Sequence, residues 1–166
     1  MIRHANFLDL IGTAFPEAPI PTQFFWTEGK EALDRDIPQE LENRIAGRPW
    51  TKLTLMDWRM TGTSPVVARR YMAPATFMYY VPSIVVGASQ EIEHIELALE
   101  GIIPDNKNHV PRGNWWFEFS GIASPHQRAA LSAFLGHVRS NYWNAIGPAN
   151  QHLLEYAKGV WLASDR

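Results

Sequence analysis

The chain contains no cysteine. Disulfides, thiolate zinc sites, iron–sulfur clusters and cysteine nucleophiles are therefore excluded. It also lacks the run of about 20 apolar residues that a membrane-spanning helix needs. The longest apolar stretch, near Val81 to Ala88, is interrupted by Pro82, Ser83 and Gly87. Neither sign of charge dominates: 15 Lys and Arg against 17 Asp and Glu leave a net charge of −2, which excludes a polyanion binder at the level of the whole chain. Charged residues are only 19% of the total, too few for a disordered polyelectrolyte. The start, Met1 to Phe7, has no basic residues leading into a long apolar run, so no signal peptide is expected and the protein reads as soluble and cytoplasmic, with no membrane partner.

What the chain has in quantity is aromatic mass: seven Trp, eight Phe and five Tyr in 166 residues. Rings of this size bury about 150–250 Å² each, enough for a self-sufficient core without a metal or other cofactor. The length fits one domain spanning residues 1–166.

Periodicity predicts helices. Leu8, Ile11 and Phe15 fall at helical spacing within Ile2 to Phe15, and Pro16 ends that segment. Three prolines between Pro16 and Pro21 predict a packed, extended linker, with PxxP-ligand chemistry as the less favoured reading. Glu28 to Ala46 reads as helical, interrupted at Pro38 and stopped by Gly47, with Leu41 and Ile45 on its apolar stripe. Thr51 to Met60 fits a short strand or a helix start with Thr54 as N-cap and Asp57 at N3. A helix beginning at Pro74 is apolar on most faces and so central, and Pro82 should kink or break it. From Gln90 to Ile103 the pattern is amphipathic: Ile92, Ile95, Leu99 and Ile102 share one face, with Glu93, Glu96 and Glu100 opposite. Asp105 to Asn114 is a polar loop, and Trp115 to Phe119 a short strand or an aromatic plug. Ser124, Pro125 and Gln127 form a capping-box start for a helix carrying Leu131, Phe134, Leu135 and Val138. A last helix runs from about Pro148 to Leu162, burying Leu153, Ala157 and Val160 or Trp161. The sum is a mainly α, irregular single-domain bundle of about six helices, with at most a minor strand pair.

Three motifs occur in order: Gly47-Arg48-Pro49-Trp50, then Phe77-Met78-Tyr79-Tyr80-Val81-Pro82, then Ser124-Pro125-His126-Gln127-Arg128-Ala129-Ala130-Leu131 with Phe134-Leu135. In this set the chain resembles a bacterial domain family of unknown function, whose members share Gly-Arg-x-Trp, Phe-x-Tyr-Tyr-Leu-Pro and Pro-x-Gln-x-x-Ala before Phe-Leu. Val81 stands where that pattern has Leu. The resemblance covers about residues 2 to 140. It implies bacterial origin and one domain, and transfers no catalytic residue.

Catalytic motifs are absent. There is no Gly-x-Ser-x-Gly elbow, no Walker A loop and no Gly-x-Gly-x-x-Gly cradle. Glu91-x-x-His94 has the spacing of a di-iron helix but lacks the required second copy, so a solvated face is the expectation. His152-x-x-Glu155-Tyr156 begins like an inverted zinc motif, with Tyr156 in place of the second histidine. No metal site is expected. Asp34 and Asp36 read as surface carboxylates.

Two charge blocks remain. Arg44 to Tyr71 holds six basic residues and one acid, Asp57, for a net +5; Glu91 to Asn106 holds five acids and no Lys or Arg, for a net −5. The basic block contains Trp50, Trp58 and Tyr71, a mixture compatible with single-stranded nucleic acid, although core packing is the favoured account of those rings and nucleic acid is not the expected partner. The favoured account of the two blocks is a pair of solvated faces that attract each other within the molecule; the sharper reading is that the row Glu93, Glu96 and Glu100 projects negative potential suited to steering a basic partner. The leading expectation is a small non-catalytic bacterial protein-binding module, comparable in charge and fold to immunity proteins that neutralise toxins. The alternatives are an enzyme with a pocket in the loop carrying His109, Arg112, Trp115 and Trp116, or a nucleic-acid-binding protein using the Arg44–Tyr71 basic block.

Overall fold

A computed structural model describes residues 6–27 and 36–162. Helix α1 (Phe7–Ala14) starts at Asn6, whose side chain accepts the Asp9 N–H at 2.9 Å. Its buried stripe is Phe7, Ile11 and Ala14; the expected Leu8 is exposed. The stripe is shifted because Phe7, the larger side chain, packs on Phe134 and His137 with ring centroids 5.8 and 4.5 Å away. After α1 the proline-rich segment is tied down by hydrogen bonds but not packed as expected: Pro16 to Pro19 are exposed and Ile20 and Pro21 half-buried. The Phe15 carbonyl accepts Trp50 Nε1–H at 3.0 Å, and the Glu17 carbonyl accepts the Tyr79 hydroxyl at 2.6 Å.

Phe25 and Met72 form an isolated antiparallel bridge, flanked by Trp26 N–H to Tyr71 C=O and Ala73 N–H to Phe24 C=O, both 2.9 Å. No other strand pairing occurs among the described residues. Helix α2 (Asp36–Arg44) buries Leu41, with Ile45 just beyond it, and Gly47 reverses the chain at φ 76°. Pro38 lies in its first turn, where a proline is tolerated, so it is no interruption. The part of the expected helix before Asp36, and the carboxylate of Asp34, lie outside the described residues.

Helix α3 (Leu55–Arg59) carries the capping box read from the sequence: Thr54 Oγ1 accepts the Asp57 N–H and Asp57 accepts the Thr54 N–H. The strand alternative for this stretch fails because those two bonds commit the backbone to a helix start. Helix α4 (Pro65–Ala68) leads to α5 (Pro74–Gln90), with Pro74 at N1. Helix α5 is central, contacting α3, α6 (Ile95–Gly101) and α7 (Asn114–Ile122). Pro82 does not break it. Residues Val81 through Val85 are all buried, and packing on several sides holds the turn despite the missing N–H.

Trp115 to Phe119 belongs to α7, so the strand reading is wrong; of the aromatic plug, Trp116 and Phe119 are buried, Trp115 is half-buried and Phe117 is exposed. Trp115 and Phe119, four residues apart, stack at 4.9 Å on one helix face, while Trp116 and Phe119 are buried. Helix α8 (Pro125–Trp161) begins with the predicted Ser124–Gln127 capping box. It is two limbs joined at Gly147, whose φ of 81° and ψ of 166° are not helical. Arg139 and Glu155, 16 residues apart, form an ion pair. Along a straight helix they would lie about 24 Å apart, so the chain must turn back at Gly147. The separate last helix expected from Pro148 is thus present as the second limb. It buries Leu154, Ala157 and Trp161, whereas Leu153 is only half-buried.

Eight α-helices and three 3₁₀ turns among the described residues make a mainly α fold, with more helices than the six or so expected because several are a single turn or two. One continuous hydrophobic cluster joins α1, α2, α3, α5, α6, α7 and α8. No described helix is long and apolar enough to cross a membrane.

Candidate functional site: an acidic ridge on α6

The helix expected from Gln90 to Ile103 is divided. Glu91, at φ −129° and ψ 74°, ends α5; a 3₁₀ turn over Ile92–His94 follows, and then α6. The division rotates Ile92 out of the stripe, leaving it half-buried, while Ile95, Leu99 and Ile102 stay in the core. The opposite face carries the acids. Glu93 and Glu96 are exposed and Glu100 is half-buried. Burial, reinforced by the charge of Glu96 one turn away, pushes the Glu100 carboxyl above its ordinary pKa.

Among the described residues the ion pairs are Arg44–Glu40, Arg48–Asp57, Arg70–Asp105 and Arg139–Glu155. None uses Glu91, Glu93, Glu96 or Glu100. Among the described residues the ridge carboxylates thus form no ion pair, and only Glu100 feels the favourable charges of the buried Arg69 and of His109.

Arg69 fixes α6 from beneath. It is 2% exposed, and its guanidinium donates to the carbonyls of Gly101 (2.6 Å), Ile103 (2.7 Å) and Glu100 (3.3 Å). The indoles of Trp115 and Trp116 lie 5.1 and 5.7 Å from its Cζ. Burial lowers its pKa to about 10, so it stays charged at neutral pH. Trp161 Nε1–H takes the Ile102 carbonyl at 2.6 Å. Two side chains remote in sequence thus satisfy the last carbonyls of α6, which a helix end otherwise leaves bare. Sequence reading assigned Arg69 to a basic surface block, and no local spacing signals its pairing with residues about 30 positions onward.

The rest of that basic block is dispersed. Arg44, Arg48 and Arg70 are paired with acids, and Trp58 is fully buried with its Nε1–H on Ser83 Oγ at 2.9 Å. Trp58 consequently has no ring face open for stacking. Arg59 donates to His94 Nε2 at 3.3 Å. A guanidinium can only donate, so Nε2 is the accepting nitrogen and Nδ1 carries the proton. Glu91, Glu93 and His94 bring potential ligand atoms within 4.8 Å of one another. The guanidinium on the imidazole opposes a cation there, and the trio reads as a hydrogen-bonded surface cluster.

His109, Arg112, Trp115 and Trp116 do not converge. His109 has φ 52°, its Nδ1–H points to the Pro104 carbonyl at 3.1 Å, and its own carbonyl accepts the Tyr156 hydroxyl. Arg112 is exposed. Trp115 donates to the Met72 carbonyl at 2.8 Å and Trp116 is buried against Trp161. His109 thus ties the loop to Tyr156 of α8, and Trp115 packs on Phe77 of α5 with ring centroids 5.9 Å apart. His126 and His152 are exposed, and Glu155 of the zinc-like sequence is paired with Arg139.

Two open hollows flank the first turn of α5. One, of about 180 Å³, is lined by Phe15, Met78, Tyr79, Ile122 and Gln127. The other, of about 410 Å³, is lined by Pro21, Thr22, Trp26, Pro74, Thr76 and Glu118 among others. Neither is lined by His109, Arg112, Trp115 or Trp116.

No protein-family model matches the chain, and no match is found among curated proteins or among solved structures.

Proposed function

We propose that this protein is a small non-catalytic binding module whose ridge of Glu93, Glu96 and Glu100 docks a basic surface of a partner protein. The observation that carries this reading is the contrast in pairing. Among the described residues Glu40, Asp57, Asp105 and Glu155 each form an ion pair with an arginine, while Glu93, Glu96 and Glu100 form none. Glu96 and Glu100, four apart on α6, repel each other at a cost of about 0.2–0.5 kcal/mol. A basic partner would convert that cost into attraction and accelerate encounter. Neutralising a toxin by covering a basic active-site surface, as immunity proteins do, is the form of binding such a ridge suits.

Charge reversal tests the proposal. Immobilised wild-type protein should retain a bacterial lysate protein in a salt-sensitive manner, and Glu93→Lys with Glu96→Lys should abolish retention while leaving the circular dichroism spectrum unchanged. An identical set of retained proteins on the reversed variant would reject the ridge as the docking surface.

A further inference from the structure

The larger hollow lies outside the ridge and makes no use of it. We infer that it binds a small organic cation, an alkylammonium or guanidinium group such as the end of a basic side chain. Its volume, about 410 Å³, is in the usual range for ligand sites. Glu118, on the outer side of α7, is the one charged side chain in its lining and makes no ion pair or hydrogen bond among the described residues. The indole of Trp26 forms another wall. Among the described residues it stacks on no other ring, and its Nε1–H has no acceptor. Its backbone is pinned by the bond to Tyr71 C=O, and Thr76 Oγ1–H ties the α5 side to the Gln23 carbonyl at 2.5 Å. The lining thus combines an indole and a carboxylate, the two groups that hold a cation through the ring quadrupole and a charge-assisted hydrogen bond. The hydroxyls of Thr22 and Thr27 add acceptors at the rim.

One feature of the hollow favours the opposite charge. The first turn of α5, with Ala75 and Thr76, opens into it, and no side chain caps that helix. The experiment therefore compares cation and anion directly. The indole N–H resonance of Trp26, assigned with Trp26→Phe, is followed while n-butylammonium, butyrate and n-butanol are added separately to the full chain. The expected result is a saturable shift with n-butylammonium and none with the other two. Glu118→Gln, at an exposed position, should weaken n-butylammonium by about tenfold, the loss of one charged hydrogen bond. No saturable shift with the amine, a larger response to butyrate, or equal amine affinity in Glu118→Gln would overturn the inference. None of these outcomes depends on the ridge.

Discussion

Arg69 shows how a residue's chemistry is decided by where the fold puts it. The same guanidinium that would bind phosphate on a surface here closes the end of α6 from within the core. Replacing it with methionine keeps much of the volume but strips three carbonyls of their donor. Arg69→Met should lower stability by about 3 kcal/mol or more, because buried acceptors are left without partners; chemical denaturation measures it, and a loss below about 1 kcal/mol would refute that role. Asp57 makes the corresponding case for pH. Burial alone would raise its pKa, but the Thr54 N–H and the Arg48 guanidinium outweigh this and hold it below the ordinary carboxylate value of 3.8. A depressed carboxylate stabilises the fold above its unfolded pKa, and that contribution is lost as pH falls through the folded value. Asp57→Asn should therefore flatten the wild-type decline in melting temperature below about pH 4. Glu100 has the opposite sign. Its raised pKa means that the charged form burdens the fold, and the burden lifts on acidification. Glu100→Gln should be neutral or stabilising at pH 7, by no more than about 0.5 kcal/mol after solvent screening.

At the level of elements, close approach and reversal are set by two glycines. A Cβ on Gly87 would sit 2.9 Å from Leu55 Cβ, so α3 and α5 touch only because that atom is missing. Gly87→Ala should cost about 1–3 kcal/mol by forcing α3 outward. An unchanged thermal midpoint would show that α3 yields freely. Gly147 bends α8, and its φ of 81° with ψ of 166° is a region that side chains avoid. The legibility of the elements follows the range of the forces that make them. The Thr54–Asp57 and Ser124–Gln127 caps were readable because donor and acceptor are three residues apart. Pro74 and Pro125 were readable because a proline at N1 acts on its own backbone. The helix over Asn114–Ile122 was not, since five consecutive aromatic and acidic residues have no period, and only the core beneath Trp116 and Phe119 selects the helix. The break at Glu91 was hidden for the converse reason: the isoleucines and leucine keep helical spacing across it. The ridge survived this error, because Glu93 within the 3₁₀ turn and Glu96 in the first turn of α6 are both exposed.

Among the described residues the molecule is an α-helical scaffold in which Arg44, Arg48, Arg70 and Arg139 pair with acids and Arg69 is buried, while the acids of the ridge form no ion pair. Neither the direction of Arg44, Arg48 and Arg70 toward acids nor the burial of Trp58 was legible from a net +5 block, since charge counts carry no information on which side chains meet. The scaffold and the ridge should separate cleanly by mutation. The reversal of Glu93 and Glu96 should change stability by less than about 0.5 kcal/mol, as expected for exposed sites, and yet remove partner binding. The most direct measurement is amide hydrogen exchange on the protein alone and with its captured partner bound. Slowed exchange should concentrate in Ile92–Gly101, that is, α6 and the 3₁₀ turn before it. Protection confined to the α1–α8 face or to the loop around His109, with Ile92–Gly101 unchanged, would contradict the account.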